Sequence, residues 1–156
     1  SGTIRENICY GKENATEAEI RQACEVAQAT EFIASRHDGF DAVIAQGGVN
    51  VSGGQKQRLA IARALVRRPE IYIFDDSFSA LDFKTEARLR RALKKETAGA
   101  TVIIVAQRVA TVMDADQIIV LDNGKIVGKG DHQTLLQTCS VYREIVASQL
   151  SEEELA

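Results

Sequence analysis

The chain has 156 residues, of which 45% are hydrophobic and one is proline, a composition typical of a globular α/β protein rather than a disordered or fibrous one. Its formal net charge of −3 gives no reason to expect sequence-independent binding to nucleic acid, which depends on neutralising phosphates. Cys9, Cys24 and Cys139 are widely spaced and odd in number, which supports neither a disulfide framework nor a zinc site, and no apolar run approaches the roughly 18 residues of a membrane-spanning helix.

Helices are predicted in the first half of the chain. Thr16 and Glu19 form a T-x-x-E capping box, and apolar residues follow it at helical spacing, which predicts a helix over residues 16–35. Ser52 can cap a second helix that runs to about Val66.

Strands alternate with helices in the second half. Residues 71–75 read as a short buried strand, and residues 84–97 as an exposed helix. The continuous apolar runs at 101–106 and 117–121 predict strands buried on both faces. We therefore expect a layered α/β fold with parallel strands.

The chain is expected to end in a hairpin, helices and a tail. A tight turn at residues 122–125 should join the preceding strand to a short partner strand at 126–129. A helical region is predicted over residues 131–150, and residues 151–156, with three consecutive glutamates, predict a solvated acidic tail.

The run Ser52-Gly53-Gly54-Gln55 is the first candidate binding segment. Two glycines behind a capping serine leave backbone N–H groups uncovered at the positive end of the helix dipole, an arrangement that suits a phosphate. The Ser52 hydroxyl and the Gln55 amide offer further hydrogen bonds. Taken alone, Ser-Gly-Gly is more simply a loop before a helix; the Gln-Lys-Gln-Arg behind it and the acidic strand end downstream favour the phosphate interpretation.

Two carboxylates follow the strand at 71–75. Ligands are expected at the carboxyl end of a parallel strand, so Asp75 is a candidate Mg²⁺ ligand and Asp76 a candidate catalytic group facing an attacking water. Paired acids after a strand can also simply cap the next turn, which is the weaker of the two interpretations here. Ser79 and Asp82 are candidate nucleotide contacts in a turn where Asp82 is as well explained as a helix cap. Gln107, which follows the next strand, carries no meaning by itself.

In this order and spacing, these residues resemble the nucleotide-binding domain of an ABC transporter over nearly the whole chain. Residues 51–55 look like the signature motif, with Val51 in place of leucine. Asp75 matches the Walker B aspartate, residues 79–82 the D-loop, and Gln107 the switch histidine. Residues 1–8 are similar to the segment that follows the Q-loop in exporter-type members.

The resemblance implies a P-loop NTPase-like ABC ATPase core with a helical subdomain. Residues 1–67 would form the helical subdomain and signature helix, residues 68–150 the C-terminal part of the core, and residues 151–156 the tail. The chain is expected to be a fragment lacking the Walker A loop and the Q-loop, and inactive by itself.

The resemblance also implies ligands, partners and a location. ATP and Mg²⁺ are the expected cofactors. A second nucleotide-binding domain, and transmembrane domains reached through the helical subdomain, are the expected partners, with no nucleic acid among them. The expected location is the cytoplasmic face of a membrane, in a bacterium the inner one.

The chain departs from the family pattern at its hydrolytic residues. Asp76 replaces a glutamate and is one methylene shorter, and a displacement of about 1 Å in a catalytic group can cost about a hundredfold in rate. Gln107 lacks the titratable imidazole of the family's histidine. Since the signature, which acts in trans in this family, is intact, the sequence favours the degenerate half of a heterodimeric exporter.

Three other readings remain open. The chain can come from a homodimeric exporter that hydrolyses ATP slowly, and co-purification of a second half-transporter would discriminate. It can belong to a soluble ABC-type ATPase of DNA repair or chromosome structure, against which stand the exporter-like opening and the lack of a coiled-coil heptad run. It can also be a regulatory pairing module without turnover.

Overall fold

A computed structural model describes residues 1–149 and divides the chain into two compact units, Ser1–Val105 and Ala106–Ala156. The tail predicted at residues 151–156 lies outside the described residues. Within residues 1–149, no helix combines the length and the apolar character needed to cross a membrane. The division into a helical subdomain at 1–67 and a core at 68–150 stays a prediction.

The first unit contains four strands and five α-helices among its described residues. In chain order they are β1 (Gly2–Thr3), α1 (Ile4–Cys9), α2 (Glu17–Val26), α3 (Thr30–Ala34), β2 (Val43–Ile44), α4 (Gly53–Val66), β3 (Ile71–Asp75), α5 (Phe83–Glu96) and β4 (Thr101–Val105). β1 pairs antiparallel with β2. β3 pairs parallel with β4 in a register that runs from Ile71 opposite Thr101 to Asp75 opposite Val105. The predicted α/β fold with parallel strands is confirmed.

Local capping chemistry starts the helices. Thr16 Oγ1 accepts from the Glu19 N–H at 3.3 Å, and the Thr16 N–H donates back to Glu19 Oε2 at 2.9 Å, which begins α2 where the sequence predicts. A like pair, Thr3 and Glu6, begins α1. α4 also begins and ends where the sequence predicts, and its buried face packs against α1 and α2.

The single helix predicted over residues 16–35 is wrong, because the structure divides it into α2 and α3. Gln28 between them adopts φ 56°, in the left-handed region, which ends helical hydrogen bonding. Its carbonyl accepts from Arg58 Nη1 of α4 at 2.7 Å, and the Arg58 guanidinium lies 5.0 Å from the centre of the Phe32 ring. The bend is thus held by a residue 30 positions away.

The prediction that the strands are buried on both faces is also wrong within the described residues. In β3, Tyr72 and Phe74 are buried, whereas Ile71 and Ile73 are 58% and 67% exposed. β4 is largely exposed, and β5 repeats the alternation seen in β3. A continuous apolar run predicts that a strand is present, but it does not determine which elements pack against each face of the strand.

The second unit contains a hairpin and three helices among its described residues. They are α6 (Val109–Val112), β5 (Ile118–Asp122), β6 (Lys125–Gly130), α7 (His132–Thr138) and α8 (Ser140–Gln149). β5 and β6 pair antiparallel across Asn123 and Gly124. The φ values of these two residues, 47° and 74°, suit a tight hairpin turn, so the turn predicted at residues 122–125 is confirmed. The core here is formed by Val109, Ile118, Val120, Leu135, Cys139, Tyr142 and Val146.

Candidate functional site

The signature segment forms the N-terminus of α4. Ser52 Oγ accepts from the Gln55 N–H at 3.2 Å, and Gln55 Oε1 accepts from the Ser52 N–H at 3.1 Å. Within residues 1–149, the N–H groups of Gly53 and Gly54 and the Gln55 Nε2 group make no hydrogen bond. These donors, at the positive end of a 14-residue helix, can bind an anion such as phosphate.

Packing requires glycine at residue 54 and leaves little room at residue 53. A Cβ atom on Gly54 would lie 2.9 Å from the carbonyl oxygen of Ala80, and one on Gly53 would lie 3.3 Å from the Ala80 Cβ. The turn after β3 therefore contacts the backbone of the first turn of α4 directly. Sequence reasoning explained these glycines by phosphate binding alone and did not find this contact.

Arg58 is hydrogen-bonded to the same turn of α4. The sequence alone did not single it out. Its Nε donates to the Gly54 carbonyl at 3.3 Å, while its Nη1 reaches Gln28. Burial lowers the pKa of the Arg58 guanidinium, and the nearby Asp82 and Glu31 carboxylates partly oppose that effect. Arg58 thus fixes the first turn of α4 from the side of the α2–α3 bend.

Asp75 and Asp76 lie exposed at the carboxyl end of β3, as predicted. The Asp75 carboxylate makes no hydrogen bond or ion pair within residues 1–149, and no three acidic, histidine or cysteine side chains there assemble into a metal cluster. Mg²⁺ in nucleotide sites is commonly held by one or two carboxylates together with phosphates. Asp75 therefore fits a Mg²⁺ ion that a nucleotide helps to hold.

The backbone of Asp76 is fixed on both sides. Its φ is 47°, its N–H donates to the Val105 carbonyl at 2.9 Å, and its own carbonyl accepts from Gln57 Nε2 and Ser79 Oγ, each at 3.1 Å. A left-handed backbone costs energy at any residue other than glycine, and these hydrogen bonds stabilise it here. The direction in which the Asp76 side chain leaves the backbone is therefore set by β4, by α4 and by Ser79.

Ser79 and Asp82 lie in the turn between β3 and α5. Asp82 Oδ1 accepts from the Thr85 N–H at 2.9 Å and caps α5. This backbone hydrogen bond is the main reason why the pKa of the Asp82 carboxyl is lowered. The helix-cap interpretation of Asp82 thus describes a contact that is present, and its contact with nucleotide stays a prediction, as does that of Ser79.

Gln107 belongs to the second unit and is exposed in the loop before α6. Its carbonyl accepts from Gln149 Nε2 at 2.8 Å, and Gln149 Oε1 accepts from the Val109 N–H at 2.9 Å. One amide at the end of α8 therefore closes the loop that carries Gln107. Sequence reasoning missed Gln149, because it lies 42 residues away along the chain.

Within the first unit, the candidate residues of α4 and of the turn after β3 come together through Gln57. Its Oε1 accepts from the Ala80 N–H at 2.9 Å, and its Nε2 donates to Ser79 Oγ at 3.0 Å and to the Asp76 carbonyl. Sequence reasoning did not single out Gln57. The roles of the candidate residues in binding and catalysis stay predictions.

Comparison with known proteins defines the class to which this α/β arrangement belongs. The family model described as "ABC transporter" matches residues 1–79, just over half of the chain. The chain belongs to the ABC transporter family.

Two curated relatives and one solved structure agree with this assignment. The chain is 52% identical over 152 residues to an uncharacterized ABC transporter ATP-binding protein of Mycobacterium tuberculosis, covering 96% of this chain and 26% of that protein. It is 44% identical over 153 residues to the mitochondrial potassium channel ATP-binding subunit of Rattus norvegicus, covering 98% of this chain and 21% of that protein. A bacterial Atm1-family ABC exporter, solved with ATP bound, superposes with a TM-score of 0.91 at 39% identity over 97% of this chain and 26% of its own.

The predicted resemblance to an exporter-type ABC nucleotide-binding domain is therefore confirmed. The chain spans about a quarter of the length of these relatives.

Proposed function

We propose that this chain is part of the ATP-binding and ATP-hydrolysing domain of an ABC exporter, at the cytoplasmic face of a membrane. In this proposal it pairs with a second nucleotide-binding domain, contributes an intact signature to its partner's ATP site, and retains a degenerate site of its own. ATP and Mg²⁺ are its ligands. The similarity to an exporter solved with ATP bound supports the class of activity.

The observation that carries the proposal is the contrast between the α4 N-terminus and the end of β3. The signature keeps its capping pair, its uncovered N–H groups and its close glycine contacts. The residue after the Walker B strand is Asp76, where the family pattern has glutamate. Exchanges at the hydrolytic positions of this chain's own site are expected to leave binding to the partner's nucleotide intact.

Each residue then has a distinct task. The N–H groups of Gly53 and Gly54 and the Ser52 hydroxyl would bind the terminal phosphate of the ATP held by the partner, and their positive field would stabilise charge that develops there. Asp75 would hold Mg²⁺ at the chain's own ATP. Asp76, one methylene short of glutamate, would orient the attacking water poorly, so that ATP stays bound there for long periods.

The second unit contributes the family's switch position. Gln107 offers an amide that can donate a hydrogen bond to a phosphate, but it has no imidazole to take up a proton near neutral pH. Its loop is closed by Gln149. Binding of phosphate without proton transfer agrees with a site that holds ATP rather than hydrolysing it.

The test measures steady-state ATPase activity of the complete transporter assembled with its partner. Asp76→Ala is expected to leave the rate within about twofold of wild type. Ser52→Ala is expected to lower it about a hundredfold, a loss typical of removing one preorganised donor. Removal of the partner's own catalytic glutamate is expected to abolish turnover.

Gln22→Ala serves as the matched control, because Gln22 makes one exposed side-chain hydrogen bond, to Glu96, away from both segments. An equal collapse for Asp76→Ala and for the partner variant would overturn the asymmetric assignment. That result would instead point to a homodimer-like exporter in which Asp76 catalyses slowly.

A further inference from the structure

The amide of Gln57 joins two segments that the proposed function assigns to two different ATP molecules. Gln57 lies on α4, five residues after Ser52, and is half-buried. Both ends of its amide are engaged with the turn after β3: Nε2 donates to the Asp76 carbonyl and to Ser79 Oγ, and Oε1 accepts from the Ala80 N–H. Three hydrogen bonds of 2.9 to 3.1 Å thus converge on one side chain.

These bonds act directly on the backbone of Asp76. The Asp76 carbonyl receives two donors, Gln57 Nε2 and Ser79 Oγ, and Ser79 Oγ is itself a hydrogen-bond partner of Gln57. With the Asp76 N–H bonded to Val105, both peptide groups of this left-handed residue are held. Removing the Gln57 amide takes one of the two donors from the carbonyl, which loosens the Asp76 backbone and with it the direction in which the side chain leaves the backbone.

The contact at Gly54 makes this link stiff. Gly54 and Gln57 are three residues apart and face the same side of α4, and both contact Ala80. Because Gly54 has no side chain, the Ala80 carbonyl approaches the helix backbone directly. A shift of the turn after β3 therefore cannot be absorbed there and moves the first turns of α4 with it.

We propose that Gln57 is a positioning residue that fixes the Asp76 carboxylate and transmits the state of this chain's own ATP site to the signature segment at Ser52–Gln55. The inference rests on the proposed function, which places these two segments at different nucleotides. The nucleotide held at Asp75 and Asp76 then sets how the signature engages the ATP of the partner. Coupling of this kind is reciprocal for binding.

The test uses the complete transporter with its partner and the variant Gln57→Met, which keeps the side-chain volume and loses every hydrogen bond. The kcat and KM for ATP are measured, together with the release rate of radiolabelled ATP retained after a chase. We expect kcat to fall about tenfold or more, because the signature segment that completes the partner's ATP site would be displaced by a fraction of an ångström, with KM changed less than about threefold. The retained ATP should be released faster by a similar factor.

Gln57→Glu is the second variant, because it keeps the acceptor for the Ala80 N–H and loses the donor to the Asp76 carbonyl. A positioning role predicts loss of kcat in both variants, whereas a role in packing alone predicts wild-type kcat for Gln57→Met. Gln22→Ala again provides the control. If Gln57→Met fails to assemble, Gln57→Glu decides alone.

Failure of the inference and failure of the proposed function give different results. Wild-type kcat and wild-type ATP release in the Gln57 variants would overturn the positioning role, whatever Asp76→Ala does. A collapse of turnover in Asp76→Ala would overturn the asymmetric assignment. Loss of kcat in Gln57→Met together with that collapse would leave Gln57 as a positioning residue for a catalytic Asp76.

Discussion

A Cβ atom on Gly54 would lie 2.9 Å from the carbonyl oxygen of Ala80, closer than side-chain carbons approach such an atom in real structures. The helix that begins at the signature and the turn that follows the Walker B strand therefore touch through their backbones. This contact predicts that Gly54, the second glycine of the motif, is needed for folding.

Gly54→Ala is expected to destabilise the protein by about 1–3 kcal/mol, the usual cost of inserting a methyl group into a filled space. Thermal unfolding of the protein that contains this chain measures the effect. Gly99→Ala is the matched control, because nothing lies within 4 Å of a Cβ there and its backbone is outside the left-handed region. Gly99→Ala should be neutral or slightly stabilising. Equal melting temperatures for both variants would contradict the packing argument.

Gln149→Ala is expected to open the loop that carries Gln107. The Val109 N–H would lose its acceptor at 2.9 Å, and the Gln107 carbonyl its donor at 2.8 Å. Hydrogen exchange at the Val109 amide should therefore accelerate. Gln137→Ala is the control, since the Gln137 side chain makes no hydrogen bond within the described part of the chain. Unchanged exchange at Val109 in Gln149→Ala would show that the amide clamp does not hold the loop.

Glu19 predicts an acid-dependent loss of stability. Lys12 Nζ lies 2.6 Å from Glu19 Oε1, and this bond, followed by the capping bond from Thr16, lowers the pKa of the carboxyl from 4.5 to about 2. Because the folded-state pKa is the lower one, the stabilisation is complete above pH 4.5 and is lost as the pH falls toward 2. The Glu19→Gln variant should have a lower melting temperature than wild type at pH 7. Between pH 4.5 and 3, its melting temperature should fall less than that of wild type.

Glu25→Gln is the control for that series, because Glu25 lies exposed on the same helix and its carboxylate makes no ion pair within residues 1–149. It removes one carboxylate without removing the cap. Parallel melting curves against pH for wild type and Glu19→Gln would refute the assignment.

Cys24 predicts a thiol that reacts only after unfolding. It is fully buried, and burial raises the pKa of the Cys24 thiol from 9.0 to about 12. The thiolate fraction at pH 8 is then about a thousandfold below that of an ordinary cysteine, and the thiolate is the reactive form. Iodoacetamide labelling followed by mass spectrometry should modify Cys24 in urea but not in native protein. Native labelling of Cys24 at the rate of the half-exposed Cys9 would contradict its burial.

The sequence predicts those parts of the fold that depend on near neighbours. Thr16 with Glu19 and Ser52 with Gln55 act over three residues, so their helix starts were found. The break at Gln28 was not found, because the apolar spacing continues across it and the hydrogen bond that holds it comes from Arg58. The positions of Asp75 and Asp76 at the end of β3 followed from strand geometry.

The supporting side chains of the candidate site were not predictable in the same way. Gln57 and Gln149 act on residues 19 to 42 positions away, and a glutamine on a helix has no local pattern that distinguishes a clamp from a solvated side chain. The exposure of Ile71 and Ile73 was missed for a related reason. Apolar periodicity identifies a strand, whereas the partner of each face depends on tertiary structure.

The φ of 47° at Asp76 bears on how the chain came to carry aspartate at this position. Left-handed backbone costs an ordinary residue roughly 1–2 kcal/mol, and aspartate tolerates it better than glutamate because its short side chain can bond locally. A glutamate at residue 76 would extend its carboxylate further toward the attacking water, but it would adopt the left-handed backbone less readily. The proposed loss of hydrolysis and the lower backbone strain would thus both follow from the same missing methylene group. An Asp76→Glu variant should therefore be judged by turnover per folded molecule.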